Sequence, residues 1–328
     1  MPKQPEDKKF SELKAPVVPI RSNSLLDKIE PLDYDSLLLS KPIPLEYVLW
    51  PWLPTQGIAF IYAATGVGKT LFSMNVAYAI AGGGNFLKYK AIKPRKVLYL
   101  DGEMAFPQVH QRLMDIRKQQ GDLFFRKNFN LYTPISFEDF SLPDINTPEG
   151  QMFYNKKIED LGIEVLFLDN LSTLSSIDEN NSEHWKVIQK WLISLRAKGL
   201  SIVMIHHAGK DKKGYRGTSR MLDCADTAIS LQDVTDDKME GEKTFSKKFK
   251  VEYQKTRAFG GDDAMPFEVN LSTQGWEFES MEKNNTSRIV DMFGLGMKPM
   301  EIVAELGCHR SYVYRIISKA RKQGLIRN

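Results

Sequence analysis

AATGVGKT, residues 63–70, is the stretch on which the fold turns. It follows an apolar run, GIAFIYA (57–63), and opens a helical pattern over Lys69–Ala81. The spacing matches the later positions of G-x-x-x-x-G-K-[ST], with Ala63 where the first glycine usually stands. In such a loop Gly66 and Gly68 let backbone N–H groups turn inward around phosphates, and the helix start near Lys69 adds its positive dipole end. The Lys69 ammonium reaches the β- and γ-phosphates, and the Thr70 hydroxyl binds Mg²⁺. Ala64, Thr65, Gly66, Val67, Gly68, Lys69, Thr70 and Leu71 are therefore the expected nucleotide-binding residues, with ATP and Mg²⁺ as the expected cofactors. The bland alternative is a glycine-rich turn that happens to precede a lysine. A strand before it and a helix after it argue against that.

Working outward, KVLYLD (96–101), EVLFLD (164–169) and SIVMIHH (201–207) are nearly continuous apolar runs like GIAFIYA. Such runs suit strands covered on both faces of a parallel sheet. Helical patterns lie between them at Pro107–Gln120 and Ser182–Lys198. Strands alternating with helices predict a doubly wound α/β core. TAISL (227–231), KFKVEYQK (248–255) and PFEVNL (266–271) are expected to extend that sheet antiparallel, with a solvated hairpin at 233–247. PIPLEYVLWPWLP (42–54) reads as a lead-in packed on the sheet edge. Residues 1–35 read as a mobile tail, 36–280 as the ATPase domain, and the polar MEKNNTS (281–287) as the boundary of a small all-α unit at 286–328.

The partners of the phosphate loop are placed by strand ends. Asp169 closes EVLFLD, the pattern of a carboxylate that holds Mg²⁺ through water; a strand-end Asp capping a turn is the plainer reading. Asp101 and Glu103 close YLDGEM, and either carboxylate there can take a proton from an attacking water. At the end of the fourth run stand His206 and His207.

These motifs together resemble the RecA-like ATPases, and among them the RepA-type hexameric helicases of plasmids and phages. The resemblance rests on ATGVGKT, VLYLDGEM (97–104), LFLDNLSTL (166–174), HHAGK (206–210), RGTS (216–219) and KTR (255–257), and covers roughly residues 42–280. It implies that Glu103, rather than Asp101, is the general base and that His207 or His206 is a γ-phosphate sensor. It also implies that the loop GKDKKGYRGTSR (209–220), with Lys210, Lys212, Lys213 and Tyr215, lines a channel for single-stranded DNA. A solvated charged loop is the alternative. Arg216, Lys255 and Arg257 compete for the role of an arginine or lysine supplied in trans, which implies a homo-oligomer, a hexamer in this family.

At the C-terminal end, GMKPMEIVAELGCHRSYVYRIISKARKQGLIRN (296–328) resembles a helix-turn-helix. Ile302, Val303 and Leu306 would form one apolar face, with Val313, Ile316 and Ile317 opposite. That leaves Arg310, Ser311, Tyr312, Arg315 and Lys319 to meet duplex DNA, and Gly324–Ile326 to begin a short wing. Residues 286–328 carry eight Lys/Arg against three Asp/Glu, a local +5 in a chain of net charge +4. A helical knob used for protein contacts is the competing expectation. With 42% hydrophobic and 26% charged residues, no apolar run of membrane-spanning length, no secretory-type N-terminus and two widely spaced cysteines, the chain reads as cytoplasmic and without a disulfide framework. Three functions follow: a DNA motor, a recombination or repair ATPase that does not unwind, or a DNA-binding regulator switched by ATP.

Overall fold

The computed structural model describes residues 33–35, 45–123, 126–139, 141–176, 182–207, 221–235, 247–272, 275–279, 281–306, 310–322 and 324–326. The chain divides into two compact units, 1–44 and 45–328. Only 33–35 of the first are described, so the expected tail lies almost wholly outside the described residues.

The second unit opens with two short strands, β1 (Tyr47–Leu49) and β2 (Leu53–Pro54), paired antiparallel. Next come β3 (Ile58–Ala63), α1 (Lys69–Gly82), a small hairpin of β4 (Asn85–Phe86) and β5 (Tyr89–Lys90), β6 (Val97–Asp101), α2 (Phe106–Gln120) and β7 (Phe129–Tyr132). Then follow α3 (Pro148–Leu161), β8 (Val165–Asp169), α4 (Leu171–Leu174), α5 (Ser182–Ala197) and β9 (Ser201–His207). The sheet is completed by β10 (Thr227–Asp233), β11 (Lys247–Thr256), β12 (Phe267–Ser272) and β13 (Gly275–Glu279).

Among the described residues nine strands form one sheet in the order β13-β12-β11-β10-β3-β9-β8-β6-β7. The six from β10 to β7 run parallel, and β11, β12 and β13 add an antiparallel extension. The protein is thus α/β with a mostly parallel central sheet, as expected. One detail is corrected: TAISL pairs parallel to β3, so the antiparallel extension begins only at β11. Its burial explains this, because Thr227–Leu231 are all buried and belong to the covered middle of the sheet.

Strand periodicity divides the core in two. Ala59, Ile61, Val97, Tyr99, Val165, Phe167, Val203 and Ile205 point to the face covered by α1 and α2. Ile58, Phe60, Leu98, Leu100, Leu166, Leu168, Ile202 and Met204 point to the face covered by α3 and α5. Successive side chains alternate across a strand, so continuous apolar runs serve both layers at once. The lead-in does more than meet an edge: Leu49, Trp52 and Leu53 are fully buried in the α1 layer, and Thr227 Oγ1 donates to the Trp52 carbonyl at 2.7 Å.

Three helices close the chain: α6 (Met281–Gly294), α7 (Pro299–Leu306) and α8 (Arg310–Lys322). They enclose a separate small core of Ile289, Ile302, Tyr312, Val313, Ile316 and Ile317. The polar boundary expected at 281–287 is instead the first turns of α6. Among the described residues, 324–326 form a turn and no strand, and Ile326 packs back onto the helices.

Candidate nucleotide site

Because β3, β6, β8 and β9 run parallel, their C-terminal ends open onto one edge of the sheet, and the sequence-chosen residues gather there. Gly66 (φ 82°) and Gly68 (φ 107°) take left-handed conformations that a side chain would resist, which turns the loop into the start of α1. Lys69, the first residue of α1, is buried and donates to the carbonyls of Ala63 and Ala64, each at 3.0 Å. Burial pulls its ammonium below the ordinary lysine range, while Asp169 and Glu103 pull the other way. Thr65 to Leu71 line a cavity of about 270 Å³, together with Glu103, Asp169, Asn170 and His207.

Each partner has a distinct setting. Asp169 ends β8 almost fully buried and is held above the usual carboxylate range by that burial; hydrogen bonds from Tyr99 and Thr70 oppose the shift. Asp101 ends β6 and is 1% exposed. Its Oδ1 accepts from the backbone N–H of Glu103 and of Met104, and burial pushes it up to about 6. Glu103, two residues on, has a side chain 45% exposed, and it lines the cavity. Glu103 Oε1 accepts from Asn170 Nδ2 at 2.5 Å and lies 3.5 Å from His207 Nε2.

The two histidines part at the strand end. His206 is buried beside Tyr62, whereas His207 lines the cavity. His207 Nδ1 is 3.0 Å from Lys69 Nζ and 3.4 Å from Thr65 Oγ1, and Nε2 is 3.0 Å from Asn170 Nδ2. An ammonium only donates, so Nδ1 is the acceptor toward Lys69.

Three polar lining residues, and the apolar Leu271, escaped the sequence reading. Asn170 follows the strand-end Asp and caps α4 through Thr173 N–H. Its only signal was its place directly after Asp169. Arg112 comes from α2, and Lys247 from the start of β11, where it donates to the Gly66 carbonyl at 2.5 Å. Neither belongs to a local motif, because tertiary folding alone brings them in. Beside this cavity, sharing Leu71 and Leu271, lies a cleft of about 960 Å³ between α1, α2 and the paired ends of β12 and β13.

The remaining candidates fall elsewhere. Lys255 pairs with Ala228, which pairs with Phe60, three residues below the strand end at Ala63. At about 3.3 Å per residue this is roughly 10 Å toward the opposite edge of the sheet. There Lys255 Nζ donates to the Leu222 carbonyl at 2.5 Å, and Arg257 meets Asp226 and the Asp223 carbonyl. Lys210, Lys212, Lys213, Tyr215 and Arg216 lie outside the described residues. On α8, Arg310, Ser311, Arg315 and Lys319 are exposed, and Arg315 pairs with Asp262. Tyr312 is a correction. It shares a helix face with Val313, Ile316, Ile317 and Ala320, so its ring is buried and not available at the surface.

A strand, a glycine loop bearing Lys and Thr, a helix and a carboxylate at the end of the next strand but one in the sheet define the class of P-loop ATPases with a RecA-like core. The AAA domain family matches residues 25–213, more than half of the chain, and the chain belongs to that family. Its fold is similar to that of the crystal structure of a KaiC-like protein from the hyperthermophilic archaeon Pyrococcus horikoshii OT3. The TM-score is 0.53 at 13% identity, over 73% of this chain and all of that one. No helix among the described residues is long and apolar enough to cross a membrane.

Proposed function

We propose that this chain is an ATP-driven DNA motor, a RepA-type ring helicase acting in replication of a plasmid or mobile element. The observation that carries the reading is the convergence of Lys69, Thr70, Glu103, Asp169 and His207 on one cavity at the strand ends. The Thr70 hydroxyl bonded to the Asp169 carboxylate is a pair of hard oxygen donors, which suits Mg²⁺ and no softer metal. Bound there, Mg²⁺ would offset phosphate charge. Lys69, now held by two carbonyls, is free to exchange them for phosphate oxygens, and the larger adjoining cleft has room for the nucleoside.

Glu103 is the base, because its carboxylate lines the cavity, whereas Asp101 is buried outside that lining with its Oδ1 engaged by two backbone N–H groups. Asn170 and His207 orient Glu103, and His207 links it to Lys69, so a γ-phosphate arriving at Lys69 is felt at the base. Lys255 and Arg257 sit too far from their own phosphate loop to serve it. Their use is on a neighbouring subunit, in a homo-oligomer of hexamer type. Single-stranded DNA would pass the loop holding Lys210, Lys212, Lys213 and Tyr215, while Arg216 competes with Lys255 and Arg257 for the role in trans. Exposed Arg310, Ser311, Arg315 and Lys319 of the C-terminal helices, read as a helix-turn-helix, would meet duplex DNA.

The test is hydrolysis and strand displacement on 5′- and 3′-tailed forks, with wild type and Lys69→Ala side by side. Single strands should stimulate hydrolysis, and displacement should require Lys69. Hydrolysis without displacement on either fork would favour the repair ATPase. Slow turnover that single strands leave unchanged, with tight binding to one duplex sequence, would favour the regulator.

A further inference from the structure

Tyr99 lies in the middle of β6, fully buried, with its ring stacked on Phe167 at 5.5 Å and on Phe129 at 6.5 Å between centroids. Those stacks fix the ring plane and leave the phenol oxygen little freedom. It donates to Asp169 Oδ2 at 2.5 Å. The same oxygen lies 2.7 Å from Ser73 Oγ, and Ser73 Oγ lies 3.1 Å from the Thr70 carbonyl. The Thr70 hydroxyl in turn bonds the Asp169 carboxylate. Four residues from β6, β8 and the first turn of α1 are thus linked: Tyr99 and Thr70 donate to Asp169, and the one Ser73 hydroxyl proton is shared between the Tyr99 oxygen and the Thr70 carbonyl. All but Thr70 are buried.

A carboxylate at a strand end turns freely about its Cβ–Cγ bond unless its oxygens are held. Here one oxygen is held by a phenol that is itself fixed by two aromatic stacks. The hydroxyl beside it comes from a helix turn joined to the same phenol through Ser73. We propose that Tyr99 is a positioning residue for the divalent-cation side of the phosphate site, setting the Asp169 carboxylate against the Thr70 hydroxyl, with Ser73 tying both to α1. The inference rests on the reading of Thr70 and Asp169 as the Mg²⁺ side of an ATP site, and goes beyond it by giving roles to Tyr99 and Ser73, to which no motif reading assigned one. Groups that orient metal-site carboxylates typically contribute 10- to 100-fold in metal affinity.

Binding of a fluorescent ADP analogue to the full chain, titrated with Mg²⁺ and repeated in EDTA, tests the claim without reading activity. Tyr99→Phe keeps both stacks and removes only the donor. Its Mg²⁺ midpoint should rise by roughly 10- to 100-fold, while metal-free affinity stays within about twofold of wild type. Ser73→Ala should raise the midpoint by a smaller factor in the same direction, and it carries the test alone if Tyr99→Phe does not fold. An unchanged midpoint in a folded Tyr99→Phe, with wild type responding normally to Mg²⁺, overturns the role of Tyr99 and leaves the ATP site intact. An equal loss with and without metal makes Tyr99 merely structural and also overturns it. A wild-type chain that binds the analogue no better with Mg²⁺ overturns the site reading and this inference together.

Discussion

The phosphate site and the C-terminal helices stand on opposite kinds of support. The first is built on strands with both faces buried, and its candidate groups include a buried lysine and a buried aspartate. The second is three amphipathic helices around six buried side chains, and its candidate contacts are exposed cations. A deep core fixes geometry to fractions of an ångström, which chemistry on a phosphate requires. A small core holds a charged surface in place, which is all that phosphate-backbone attraction demands. The contrast teaches that substitutions should act on chemistry in one region and on stability or affinity in the other.

Glu103→Gln should break the first region most severely. Loss of a general base costs roughly 10²- to 10⁴-fold in turnover, while ATP affinity, held by the loop, changes little. Comparing kcat with analogue binding separates the two effects, and normal turnover would remove Glu103 from its role. In the second region the largest effect is on stability. Ile302 is fully buried in the helical cluster, so Ile302→Ala should destabilise those helices by about 2–5 kcal/mol. Hydrogen exchange should show faster opening of α6, α7 and α8 with protection of β3 and β8 unchanged. Equal loosening of the sheet would mean that the two cores are one cooperative unit.

Asp101 sharpens the comparison from within the deep core. Burial raises it to about 6, above the ordinary carboxylate value near 4. The folded chain therefore binds this proton more tightly than the unfolded chain does between about pH 4 and 6, and the associated stability falls as pH rises through that window. Between pH 4.5 and 7.5 wild type should lose on the order of 2 kcal/mol more than Asp101→Asn. Urea unfolding at both pH values reads the difference, and parallel losses would contradict it. The smallest effects belong to the surface: Arg310→Ala and Lys319→Ala should each flatten the salt dependence of duplex binding by about one unit of slope. An unchanged slope would leave these helices to protein contacts.

The same contrast explains what could be read in advance. The parallel core was legible because β3, β6, β8 and β9 are apolar on both faces, and each strand end carries its functional residue in sequence with it. What was missed had weak periodicity. In α3 only Gly150, Tyr154 and Ile158 are buried, and its one local signal is Thr147 capping the Gly150 N–H ahead of Pro148. The strand β7 is four half-buried residues at the sheet edge. Tyr312 was misplaced because a tyrosine in a basic helix reads as a surface residue, and only the packing of α8 reveals which face is inward. Arg112, Asn170 and Lys247 reach the site from separate elements, a juxtaposition that spacing along the chain does not encode.

Direct binding of ATP with Mg²⁺, measured by calorimetry on wild type and on Lys69→Ala, bears most immediately on the central claim. Wild type should bind, and the variant, which keeps the loop and loses the ammonium with its alkyl stem, should bind at least tenfold more weakly, a difference of about 1.4 kcal/mol. Equal affinity in the two proteins, or none in either, would contradict a phosphate site at the end of β3.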